Sequence, residues 1–273
     1  MTRCAPAPGR VPRRALLLTC WRALLRSLRG PIVELLRDLR ALLWPTACVH
    51  CGAPDRDCCA HCLARIRAPA PLLRAELGVP VFARAPYDGA LRALLLACKH
   101  GGRASAASEL GRALRAPLRA ALATAGEPRP LIVAAPSSAV QLRQRGFRPV
   151  ELFVAHAQRG AARRGEPCGE PLRALRAAWG RRGQIGLAPR ARAANARLLR
   201  VRPGARHRLR GREVVLVDDV LTTGATLRAA RDAVESAGAR VVAAAVLCLV
   251  ETRAEPALGS RAAEGWKPPS RVE

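Results

Sequence analysis

The sequence predicts an α/β fold: a parallel sheet flanked by helices, preceded by a small four-cysteine ribbon. Three observations carry this. Short, unbrokenly apolar segments such as "LIVAAP" (131–136) and "EVVLV" (213–217) lack polar alternation, as strands buried on both faces do. They alternate with longer segments of helical periodicity, the order of strand–helix–strand crossovers. Two C-x-x-C pairs also fall in one short stretch, "CVHCGAPDRDCCAHC".

The elements follow in order. Residues 1–30 form a basic extension with Leu17, Trp21, Leu24 and Leu28 at helical spacing. It reads as an appended segment, with a membrane-surface or partner helix as the sharper alternative. Gly30-Pro31 breaks the pattern, and 32–44 resume it. The ribbon follows, so that 31–67 make one unit of helix plus cysteines. Prolines 69, 71 and 80 mark a linker. In the main domain, 68–251, "VPVFARAPY" (79–87) is a predicted strand, and 89–102 and 106–122 are helices. "LIVAAP" is a strand and 149–164 a helix with Pro149 in its first turn. Residues 172–201 are mixed and Arg-rich. "EVVLV" is a strand, 224–238 a helix closed by Gly238, and 239–250 a strand. Residues 252–273 are a polar, Pro-containing tail.

The formal net charge is +27, with only 3% aromatic residues. Nearly all the cations are arginines, in an Ala-, Arg-, Gly- and Pro-rich composition that a GC-rich coding sequence produces. Such a field attracts polyanions non-specifically, whatever its origin. Ten cysteines in a chain this long do not make a secreted disulfide scaffold, so a reducing cytoplasm is expected. No apolar run approaches a membrane span, and Arg22 interrupts the apolar patch that would otherwise suggest a signal peptide.

Cys48, Cys51, Cys59 and Cys62 form two knuckles, the usual thiolate set for structural Zn²⁺. An iron–sulfur cluster or redox thiols are the alternatives. Cys58 has the wrong spacing and reads as a bystander. His50 and His61, inside the knuckles, are expected to point away. A closed four-thiolate site leaves no open position, so the metal would stabilise and not catalyse.

The chemistry concentrates in "EVVLVDDVLTTGATL" (213–227). Asp218 and Asp219 stand at the carboxyl end of a predicted parallel strand, where α/β sheets bind ligands. The Thr222-Thr223-Gly224-Ala225-Thr226 corner leads into a helix whose free N–H groups favour an anion. Carboxylates beside an anion require hydroxyl groups or a bridging Mg²⁺ to face. A ribose 5-phosphate is the simplest ligand that satisfies both. A mere helix cap accounts for one acid and one threonine only, and a Walker B strand fails because the chain has no G-x-x-x-x-G-K-[ST].

"VVLVDDVLTTGAT" resembles the phosphoribosyl diphosphate (PRPP) signature of type I phosphoribosyltransferases. The resemblance implies that Asp218 and Asp219 contact the ribose hydroxyls and that Thr222 to Thr226 wrap the 5-phosphate. With the four-Cys ribbon ahead of it, the chain from about residue 34 to 250 resembles the ComF family of competence proteins. "YDGALRALLLACKHGG" resembles that family's Tyr-to-Lys segment and places Tyr87 and Lys99. "APSSAVQLRQRGF" is similar to its Pro-then-Arg-Gly-Phe segment, and residues 175–201 to its mobile loop. Arg176, Gln184, Leu187, Arg192 and Asn195 match there. The sequence departs from the family at Arg148-Pro149, Ala134 and Ala178, which bears on substrate specificity.

Ser137 and Ser138, after a short strand, are expected at a sheet edge where a diphosphate could lie, with Lys99, Arg143 and Arg145 to neutralise it. The loop residues Arg176, Gln184, Arg192 and Asn195 would sit in a lid that excludes water. The implied cofactors are structural Zn²⁺, and Mg²⁺ with PRPP. Two function classes follow. One is a phosphoribosyltransferase, in which diphosphate leaves the anomeric carbon through an oxocarbenium-like transition state. No acceptor pocket is legible, and His100 and His156 are the weak candidates for general base. The other is a non-catalytic single-stranded-DNA-binding protein that keeps the PRPP site for structure or regulation. The resemblance implies competence, DNA uptake and other competence proteins as partners. The lack of an aromatic stacking platform counts against the second class.

Overall fold

The computed structural model describes residues 47–54, 56–67, 71–75, 77–177 and 199–250. The predicted helix at 32–44, the basic extension, the polar tail, and Gln184, Arg192 and Asn195 lie outside them. Among the described residues no helix is long and apolar enough to cross a membrane.

The architecture is the expected one: a mixed α/β domain on a mostly parallel sheet, with the four-cysteine cluster N-terminal to it. The main-sheet strands are β1 (Leu72–Arg74), β2 (Val81–Pro86), β3 (Leu131–Ala134), β4 (Glu170–Pro171), β7 (Glu213–Leu221) and β8 (Arg240–Leu249). Their order is β1-β2-β8-β7-β3-β4, parallel throughout except for β1 against β2. A two-stranded antiparallel pair, β5 (Leu175–Ala177) and β6 (Leu199–Val201), lies apart from it. β1 falls in the expected linker, and β5 and β6 in the segment read as irregular. At three residues each, they are too short to show a period.

The longer helices are α1 (Ala60–Arg67), α2 (Gly89–His100), α3 (Ala107–Leu122), α4 (Ala139–Arg145), α5 (Pro149–Ala162) and α6 (Ala225–Glu235), with one further helical turn at Arg206–Leu209. α1 and α4 are not in the sequence reading. α4 is set by a capping box: Gln141 N–H donates to Ser138 Oγ and Ser138 N–H to Gln141 Oε1, each 3.2 Å. Gly146 ends it in the left-handed region at φ +72°. The departure Arg148-Pro149 turns out to start α5, with Arg148 as the N-cap and Pro149 at its beginning. α6 ends at Glu235, so Ser236, not Gly238, is its C-cap; Gly238 follows at φ +87°.

Two cores cover the two sheet faces. One joins Ile132, Val215, Val217 and Ala243 to α2, α3 and α5 through Leu94, Leu114 and Phe153. The other joins Leu131, Val133, Val214 and Leu216 to α6 through Leu227, Ala230 and Val234. Helices leaving β3 therefore pack on one face and the helix leaving β7 on the other. The neighbouring pair β3–β7 is a topological switch point, where such sheets open a crevice beyond their carboxyl ends.

The opposite end of β7 is clamped. Glu127 Oε1 accepts from Glu213 N–H at 2.7 Å, and Glu213 Oε2 accepts from Glu127 N–H at 2.9 Å. Arg212 Nε donates to Glu127 Oε2 at 2.9 Å, and Arg240 pairs with Glu213. Burial raises the Glu127 carboxyl, but the Arg212 guanidinium and the Glu213 amide outweigh it and hold it below its usual value. A depressed carboxylate contributes stability that is complete above its unfolded pKa and is lost as pH falls through its folded one. Glu127→Gln is therefore expected to cost about 1 kcal/mol at pH 7. The difference from wild type should close below about pH 4 in urea melts, the ordinary glutamate range. A gap that persists at low pH would assign the loss to shape and not to charge.

Candidate functional site

A cavity of about 360 Å³ opens at the β3–β7 switch point. β7 extends to Leu221, so Asp218 and Asp219 are its paired residues and not a loop beyond it; β8 continues opposite them, with Asp218 facing Val246 in register. Side chains alternate along a strand, and this separates the two acids. Asp219 falls on the face of Val215 and Val217, toward α2. There Lys99 Nζ lies 2.5 Å from its Oδ2, with the two side chains 16% and 17% exposed. Asp218 lies toward the Thr–Gly corner and lines the small hollow formed by Thr222, Thr223, Gly224, Ala225 and Thr226. Its Oδ1 accepts the Asp219 N–H at 2.8 Å.

The corner has a steric reason for its glycine. Gly224 is the N-cap of α6 at φ +71°, and a Cβ there would come within 3.0 Å of Arg228 Nη1 and 3.1 Å of Leu77 Cδ2. A side chain at this position would be strained both by the left-handed backbone and by these neighbours. Arg228 closes the outer side through the Thr223 carbonyl.

The structure brings Lys99, Ser137, Ser138, Arg145, Asp218, Asp219, Thr222 and Thr226 to the main cavity. Thr223, Gly224 and Ala225 line the adjoining hollow. Arg143 is exposed on α4 and does not line the cavity. Arg176 is exposed on β5, also away from it. The serines are not at a sheet edge: β3 is interior, between β7 and β4, and "PSS" sits at its carboxyl end. Ser138 is 2% exposed and its hydroxyl is engaged in the α4 cap.

Tyr87, which the resemblance placed, and Leu96, Val150 and Val250, which the sequence reading did not anticipate, give the cavity an apolar side. They come from four separate segments, Leu96 and Val150 from helices and Tyr87 and Val250 from just beyond β2 and β8, so no local pattern links them. His100 also lines the cavity; burial, then Arg145 and Lys99, push its imidazole down. His156 lies between α5 and α3, where Gly111 approaches it, and not in the cavity.

The cysteine cluster forms as expected. The sulfurs of Cys48, Cys51, Cys59 and Cys62 lie within 4.8 Å of one another. Cys59 N–H donates to Cys48 Sγ at 3.4 Å and Cys62 N–H to Cys59 Sγ at 3.5 Å. Burial raises the Cys48 thiol, but the amides of Cys51, Cys59 and His50 outweigh it and bring it to about 6. Amide donors aimed at sulfur favour thiolate, while burial pushes the Cys62 thiol up; four convergent sulfurs fit a thiophilic tetrahedral cation, whose charge would deprotonate all four. Cys58 stays out of the group; its buried thiol is pushed up to about 12. His50 and His61 are exposed. The ribbon docks on the main domain through Arg103, which donates to Ala47 O at 2.8 Å and Asp57 Oδ1 at 3.2 Å.

The phosphoribosyl transferase domain family matches residues 181–263, which contain the β7–α6 corner. The chain is 52% identical over 66 residues to adenine phosphoribosyltransferase of Nocardia farcinica, covering 24% of this chain and 32% of that protein. It is 54% identical over 52 residues to adenine phosphoribosyltransferase of Kineococcus radiotolerans, covering 19% of this chain and 28% of that one. The chain thus spans about a third of the length of the curated relatives it matches. These matches support a phosphoribosyltransferase family, and the family match covers the part of the chain that carries Asp218, Asp219 and the Thr–Gly corner.

Proposed function

We propose that the protein binds Mg–PRPP in this cavity and is a phosphoribosyltransferase-type protein of the ComF kind, acting in natural competence. The observation that carries the ligand is a cavity and its adjoining hollow that together hold three unlike surfaces: acids from β7, the Thr–Gly corner at α6, and the cations Lys99 and Arg145. A molecule with hydroxyls in the middle, a monophosphate at one end and a diphosphate at the other matches that order. Its volume is ordinary for a small-molecule site. The ComF assignment rests on the resemblance: a four-cysteine ribbon ahead of such a domain. The units 31–67 and 68–251 belong to this reading, and Zn²⁺ in the cluster is supported by the knuckle spacing and the convergence of the four sulfurs.

In this reading the corner from Thr222 to Thr226 holds the 5-phosphate on backbone N–H groups and hydroxyls. Asp218 and Asp219 accept from the ribose hydroxyls. Arg145, Ser137 and Lys99 hold the diphosphate, and their charge favours its departure from the anomeric carbon. Mg²⁺ supplies charge neutralisation to that leaving group when bound; the oxygen donors nearest to hold it are the two aspartates. His100 is placed to take a proton from the acceptor. The name of the two relatives makes adenine the first acceptor to try.

Calorimetry with Mg–PRPP tests the site. Asp218→Asn/Asp219→Asn is expected to weaken binding at least about tenfold, because each removes a charged hydrogen-bond acceptor. Binding unchanged from wild type sinks the assignment. Diphosphate release with adenine or other bases then separates an enzyme from a binding protein. A wild type that releases none, yet binds single-stranded DNA with a steep salt slope, favours the second class.

A further inference from the structure

We propose that Lys99 is a charge-exchange latch that makes the site select a sugar phosphate bearing an anionic group at the anomeric carbon over the same sugar phosphate with a free hydroxyl there. The inference rests on the sugar-phosphate reading above and adds what Lys99 does in it. Among the 47 Lys and Arg residues of the chain, only Lys99 and Lys267 are lysines. Where arginine is the default cation, a lysine stands in the cavity wall, in the last turn of α2, with its ammonium 2.5 Å from Asp219. Both side chains are largely withdrawn from water, so each charge relies on the other.

The consequence is an exchange. A hydroxyl-bearing sugar that reaches for Asp219 must displace Lys99. If it offers no anion in return, it leaves a part-buried ammonium unpaired, which is costly. A diphosphate one carbon away re-pairs Lys99 at the moment Asp219 is freed. Arginine does this poorly, since its planar fork holds a carboxylate bidentately; lysine is a point charge on a flexible stem that can pass from one anion to the other. When the diphosphate departs, Lys99 returns to Asp219 and weakens the hold on the remaining 5-phosphate sugar.

The latch makes an expectation opposite to simple attraction. Lys99→Met removes a cation yet should tighten ribose 5-phosphate about fivefold or more, while weakening Mg–PRPP by a similar factor. Calorimetry on wild type and Lys99→Met with both ligands reads this, and circular dichroism confirms that the variant folds. If both ligands weaken together, Lys99 merely adds to the positive field and the inference is overturned; unchanged affinities overturn it as well. A wild type that binds neither compound overturns the sugar-phosphate reading itself. A second measurement needs no variant. With wild-type protein, Mg–diphosphate should raise the affinity for ribose 5-phosphate about fivefold, because it draws Lys99 from Asp219. Independent or antagonistic binding of the two contradicts the latch.

Discussion

Cys62→Ser is expected to abolish metal binding, release the ribbon from the main domain and lower the melting temperature of the whole chain. Cys62 is 1% exposed and belongs, with Cys48 and Ile66, to the same buried cluster as α2, α3 and the sheet. The ribbon among the described residues has little apolar interior of its own: one isolated bridge, Ala47 to Pro54, and the single helix α1. A four-thiolate zinc site contributes on the order of 10 kcal/mol to folding such a unit. Losing it removes the ribbon's fold and uncovers the α2–α3 surface beneath. Elemental analysis should find one zinc per chain in wild type and none in Cys62→Ser. A strong chelator should reproduce the loss of melting temperature. A brown protein containing iron would replace zinc by a cluster in the same thiolates. Wild type free of metal, with Cys62→Ser melting at the wild-type temperature, would falsify the metal centre.

Gly111→Ala is expected to destabilise the domain by roughly 2–3 kcal/mol, although alanine is the better helix former. Gly111 sits in α3 where α5 crosses. A Cβ there would lie 2.3 Å from His156 Cβ and 2.9 Å from the Phe153 carbonyl oxygen. Neither neighbour is the free end of a flexible side chain, so the two helices must move apart. That separation would loosen Leu114 and Phe153, both fully buried. Thermal unfolding should show a fall of roughly 5–10 °C for a domain of this size. Gly160 in α5 is the control: its added Cβ would meet only Arg115, at 3.7 Å and beyond. Gly160→Ala should leave stability unchanged or raise it by about 0.5–1 kcal/mol. Equal effects at the two positions would remove helix–helix approach as the cause.

The parts of the site that were legible before the structure are the contiguous ones. The β7–α6 corner carries strand, acids, hydroxyls and glycine in one run, and the cysteine knuckles carry their spacing in another. The apolar wall was legible only at Tyr87, through the resemblance; Leu96, Val150 and Val250 were not, because each looks like ordinary core in its own segment. Ser138 misled for a related reason. A hydroxyl after a strand suits a ligand and a helix cap equally, and only the presence of α4, with Gln141 three residues on, decides for the cap. Arg143 and Arg145 are two residues apart on a short helix, so only one of them can face the cavity, and it is Arg145.

The sequence by itself determined the class of fold, the four metal-ligand candidates and the identity of the strand that bears the acids, because each depends on local periodicity or spacing. Tertiary structure alone decided which charges meet. Asp218 and Asp219 are neighbours in the chain, yet the pleat sends them to opposite faces, one to the Thr–Gly corner and one to Lys99 on a helix more than a hundred residues earlier. Pairing between distant charges depends on distance and burial, and neither is written in the order of residues.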